Sequence, residues 1–109
     1  MKRYGAAVLS SLLIFASSVN AGSSSGLVTL VMAHVGDVII FSAGPHQNKP
    51  ACSTAGEDWA FSLSTQTGKA MYALILSAQA QGKQINVMGT NTCPAWGDRE
   101  APAYVYITQ

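Results

Sequence analysis

Two cysteines, two tryptophans and two histidines are the residues of this chain whose types invite chemistry. Cys52 and Cys93 lie about forty residues apart with no CxxC around either. A metal site built from Cys52, Cys93, His34 and His46 would lack any familiar ligand spacing, since no CxxC or HxxxH occurs. One disulfide is the simpler reading in an exported chain, and closing so long a loop would stabilise the fold by about 3–4 kcal/mol. Trp59 follows Cys52 and Trp96 follows Cys93, so the bridge would draw both indoles together. They would either pack around the disulfide or form an aromatic shelf for the C–H face of a sugar ring. Tyr104 and Tyr106, two apart on an extended segment, face the same way and would line a ligand groove or one side of a barrel.

Catalytic constellations are missing from the pattern. Ser, His and Asp are present, but no GxSxG nucleophile signature or Gly-rich phosphate cradle occurs. His34 falls in an apolar stretch and reads as packed or paired, and His46 in a Pro-bounded loop reads as solvated. The acidic neighbours Glu57-Asp58 and Asp98-Arg99-Glu100 read as solvated loop charges. Binding is therefore expected rather than catalysis, with no cofactor and no metal.

The elements that must position these residues follow from local patterns. Lys2 and Arg3 precede an apolar run, Ala6 to Val19, that is short for a bilayer span, and "VNA" (Val19 to Ala21) closes it with small residues. This is the layout of a secretory signal peptide cut after Ala21, with an N-terminal membrane anchor as the alternative. The domain boundaries expected are thus 1–21 for the leader and 22–109 for a single small domain. Its cations are Lys49, Lys69, Lys83 and Arg99, against Asp37, Glu57, Asp58, Asp98 and Glu100. A near-neutral domain without a basic cluster is a poor binder of nucleic acid.

"GSSSG" (Gly22 to Gly26) reads as a flexible lead into the domain. Leu27 to Val35 and Val38 to Ala43 read as an antiparallel hairpin turned at Gly36-Asp37, with Gly first as in a type II′ turn. Both strands are apolar at consecutive positions, which predicts burial on both faces, or one face in the core and one in a partner. A loop follows, then a short strand at Trp59 to Ser64. The helix is capped at Ser64, Thr65 or Thr67 and runs to about Gln81, with Gly82 as its terminator. Strands are expected at Gln84 to Thr90 and Ala103 to Gln109. The fold class is mainly β with one helix, in the order β-β-β-α-β-β. That is the element order of an OB-fold, a small Greek-key barrel, with a small α+β sheet as the alternative.

The helix "GKAMYALILSAQAQGK" (Gly68 to Lys83) has no charge between its lysines. Ala70, Met71, Leu74, Ile75 and Ala78 make one apolar face, while Tyr72, Ala73, Leu76 and Ala80 fall on the other side. One small barrel covers one face only, so Tyr72, Leu76 and Ala80 are expected at an interface with another copy of the chain.

The stretch Ala51 to Cys93, with its Cys, its Trp about seven residues on, its helix with a G-K/Q end and its following strand, resembles the B subunits of subtilase cytotoxin and of the typhoid-toxin type. "SSGLVTLV" (Ser24 to Val31) is similar to the start of their first strand. The resemblance implies a secreted OB-fold in a ring-shaped homo-oligomer, a pentamer, with the helices lining its pore. It implies binding of sialylated host glycans and a catalytic A subunit as partner. Ser25 matches the serine that contacts the sialic acid carboxylate in that family. The reading is a secreted or periplasmic, non-enzymatic, glycan-binding bacterial subunit, with Ser25, Trp59, Trp96, Tyr104 and Tyr106 as candidate ligand residues. The alternative is a periplasmic structural or protein-interaction module without sugar binding.

Overall fold

A computed structural model describes residues 21–108, and residues 1–20 of the expected leader and Gln109 lie outside the described residues. The elements are β1 (Ser23–Gly26), β2 (Val28–His34), β3 (Val38–Ala43), β4 (Trp59–Ser62), α1 (Gln66–Gln81), β5 (Ile85–Gly89) and β6 (Pro102–Ile107). They form two three-stranded antiparallel sheets, ordered β1-β5-β6 and β2-β3-β4. The order is β-β-β-β-α-β-β, one strand more than the sequence pattern predicts. "GSSSG" is not a flexible lead. Its residues pair with β5 from Ser23↔Met88 to Gly26↔Ile85, and after Leu27 the chain joins the other sheet. Gly26 lies so close to Gly44 that a Cβ would press on that backbone, which lets the chain cross between sheets there. The two sheets do not close into a barrel. One isolated parallel bridge, Trp59↔Glu100, links β4 to the segment before β6.

The β2–β3 hairpin turns through Val35, Gly36 and Asp37 rather than through a two-residue type II′ turn. Gly36 (φ 83°) and Asp37 (φ 60°) are both left-handed, where Gly and Asp are tolerated. All of β3 is buried, because its two faces serve two clusters. Ile39 and Phe41 point with Trp59 and Phe61 into the main core, which α1 closes with Met71, Ile75 and Ala78. Val38, Ile40 and Ala60 face the other way, under Leu30, Ala95 and Trp96. The expected two-sided burial therefore holds for β3, and the chain's own 94–99 loop supplies the second cover. It does not hold for β2, which is half-exposed.

Thr65 caps α1, accepting a hydrogen bond from the Gly68 amide at 2.9 Å, and Gly82 ends it in the left-handed conformation (φ 65°). Gly68, Met71, Ile75 and Ala78 are its buried residues. Tyr72 and Leu74 pack partly on the core, while Leu76 and Ala80 are exposed, as is Ala70 from the face expected to pack inward. The disulfide Cys52–Cys93 is formed, with 6.2 Å between Cα atoms. It ties the loop before β4 to the loop after β5. The same loops are laced by Thr54 and Ala55 amides donating to the Asp98 carbonyl at 2.9 and 3.2 Å. No described helix is long and apolar enough to cross a membrane.

Candidate functional site

The sheet β1-β5-β6 presents a continuous outer face. Registers Ser23↔Met88↔Tyr104 and Ser25↔Asn86↔Tyr106 place these six residues in two adjacent rows, since residues opposite one another share a face. The intervening row, Ser24, Val87 and Val105, points inward and is buried. Strand alternation thus sends one set to the core and leaves the other to solvent. Tyr104 and Tyr106 are 51% and 50% exposed, and their rings stack with centroids 6.2 Å apart and planes 28° apart. Beside them runs a polar chain. Ser25 Oγ donates to Asn86 Oδ1 at 2.7 Å, and Asn86 Nδ2 donates to Thr108 Oγ1 at 2.6 Å. Those bonds leave a lone pair on Ser25, the second amide hydrogen of Asn86 and the Thr108 hydroxyl hydrogen for a ligand. A groove of about 190 Å³ between α1 and β6 opens next to Tyr104, floored by Met71, Leu74 and Val105.

Three of the five candidate ligand residues, Ser25, Tyr104 and Tyr106, therefore share this face, and the two tryptophans do not. Trp59 is fully buried in the main core, and its indole N–H donates to Ser24 Oγ at 3.0 Å. It has no free face for a sugar. Trp96 is half-buried over the second cluster and packs on His34, with ring centroids 4.3 Å apart. The indoles lie on opposite faces of the sheet β2-β3-β4, so no shared shelf exists. Strand alternation decides this: Trp59 points with Phe61, and Ala60 faces Trp96.

A second constellation is buried, and the sequence pattern misreads its members. Glu100 and His46, expected as solvated loop residues, have side chains with no exposure and meet at 2.8 Å, His46 Nε2 to Glu100 Oε1. The imidazole stacks on Trp59 at 3.8 Å, with 15° between planes. Glu100 Oε2 accepts from the Gly22 amide at 3.0 Å and from the Asn91 amide at 2.8 Å. Asn91 sits at φ 66°, a left-handed position that Asn adopts more readily than most residues. His46 Nδ1 is buried with no hydrogen-bond partner among the described residues.

Glu57, Asp58 and Asp98 are also engaged. Glu57 accepts from the His46 amide at 2.5 Å. Asp58 accepts from Ser42 Oγ and from Arg99 Nε, the latter at 3.1 Å, and Asp98 accepts from Arg99 at 2.7 Å. These carboxylates brace loops rather than assemble a hydrolytic pair. Among the described residues no group of His, Cys, Asp and Glu could hold a metal ion.

Comparison of the chain with family models, curated proteins and solved structures returned no match.

Proposed function

We propose that this chain is an exported binding subunit that takes a glycan on the outer face of the sheet β1-β5-β6. The observation that carries the reading is the pair of stacked, half-exposed tyrosines beside the Ser25–Asn86–Thr108 hydrogen-bonded row. Aromatic faces match the C–H face of a pyranose, and neutral hydroxyl and amide groups match its hydroxyls. Ser25, the residue matched to the sialic acid contact of the toxin B subunits, stands in that row. An OB-type arrangement is supported by the bent first strand shared between two sheets and by the parallel Trp59↔Glu100 bridge. Export is supported by the disulfide. Self-association is supported by the exposed stripe of α1 formed by Ala73, Leu76 and Ala80, the last two of the expected interface, which carries no charge between Lys69 and Lys83. A ring of copies, a pentamer, and a catalytic A subunit belong to the same reading.

The test is a glycan array probed with the oxidised protein, followed by titration of the best hit. Tyr106→Ala and Asn86→Ala are expected to weaken binding at least tenfold with unfolding midpoints unchanged. An array without hits refutes glycan binding. A protein-interaction module is the second reading, favoured by exposed Met32 on the edge strand β2 and exposed Leu27 and Val35 flanking it. Substitution there, and not at Tyr106, would then abolish partner capture.

A further inference from the structure

We infer that Glu100 is the receptor for the α-ammonium group that processing at Ala21–Gly22 creates, so that maturation completes a buried ion pair. The inference rests on the proposed export of the chain and adds what the new terminus does. Two independent observations meet at one bond. "VNA" places a cut after Ala21 by sequence. The fold places the nitrogen of Gly22 in the buried polar pocket, 3.0 Å from Glu100 Oε2.

The pocket is built for that terminus. A Cβ at Gly22 would overlap Glu100 Oε1 and crowd His46 Nε2, so any larger residue there must displace that buried pair. From Gly22 onward the backbone is held continuously. The Gly22 carbonyl accepts from Gly89 at 2.8 Å, and Ser23 and Gln47 exchange bonds at 3.0 and 2.7 Å. Apart from His46, no cationic side chain among the described residues pairs with Glu100. Arg99, its neighbour, is engaged by Asp58 and Asp98. A doubly protonated His46 would leave a buried N–H at Nδ1 with no acceptor. A buried carboxylate without a cation is costly, and an ammonium group at the Gly22 nitrogen supplies one.

The covalent step is hydrolysis by an export-linked peptidase. Water adds across the Ala21–Gly22 peptide bond, the Ala21 carbonyl carbon takes the hydroxyl, and the Gly22 nitrogen leaves as an amine that protonates at neutral pH. The ammonium keeps its bond to Glu100 Oε2 and adds charge to it.

The full chain is exported and the recovered protein weighed by mass spectrometry. A mass that starts at Gly22 is expected, and a start at any other residue overturns the processing site. Separately, a site-specific protease releases two forms, one beginning at Gly22 and one retaining Ala21, each with and without Glu100→Gln. The Gly22 form is expected to melt about 10 °C above the Ala21 form, and Glu100→Gln to erase that difference. Equal melting of the two forms overturns the ion pair, whatever the cell's own cleavage site. Should Glu100→Gln fail to fold, acylation of the Gly22 amine in the native-sequence protein decides. Labelling at least tenfold slower than in the reduced, unfolded chain supports the pair, and equal rates refute it.

Discussion

Glu100 and Asp98 are two residues apart and of one charge type, yet they stand in opposite situations. Asp98 is about half exposed and pairs with Arg99 at the surface. Such pairs contribute about 0–1 kcal/mol, so Asp98→Ala should leave the urea midpoint almost unmoved. Glu100 accepts from three groups in a place water does not reach. Glu100→Ala strands the Gly22 and Asn91 amides and His46 Nε2, and should cost about 3–5 kcal/mol in the same measurement. The difference is invisible locally, because two of the three Glu100 partners lie 54 and 78 positions away along the chain. Trp59 teaches the same point. An indole near a cysteine is equally compatible with a shelf and with a core, and only its strand neighbours Phe41 and Phe61 decide for the core.

Helix α1 was the most legible element, since its signals are local. Thr65 at the N-cap and Gly82 at the end act within one turn of their own position. Thr65→Ala should lower stability by about 1 kcal/mol, read from chemical denaturation. The loops before β4 and after β5 are legible only at their cysteines. Their backbone cross-links, such as Thr54 to Asp98, have no sequence signature. The disulfide and those bonds act together, so Cys52→Ser should cost about 2–5 kcal/mol. It should also expose Trp96, whose cover over Val38 and Ile40 depends on that loop, and a red shift of tryptophan emission would report it. "GSSSG" was misread for a physical reason. Small polar residues have low strand propensity, and pairing with β5 overrides it.

For the whole molecule, the open question of the helix is what covers Leu76 and Ala80. Leu76 remains 38% exposed once the fold has formed. The proposed oligomer predicts a light-scattering mass several times that of one chain at micromolar concentration, and Leu76→Glu should return it to a single chain. A single-chain mass for the unsubstituted protein would refute self-association. By itself the sequence determined the mainly β class, the helix and its Gly82 terminator, the cysteine pairing and the strongly apolar β3, because each depends on residue type, short-range period or the simple pairing of two cysteines. Tertiary structure alone decided which face each aromatic ring takes and where the strands change sheets. It alone put Tyr104, Tyr106 and Ser25 on one surface and Trp59 in the core. Those outcomes depend on register between distant strands, and a register is set by the sum of packing across the molecule rather than by any one segment.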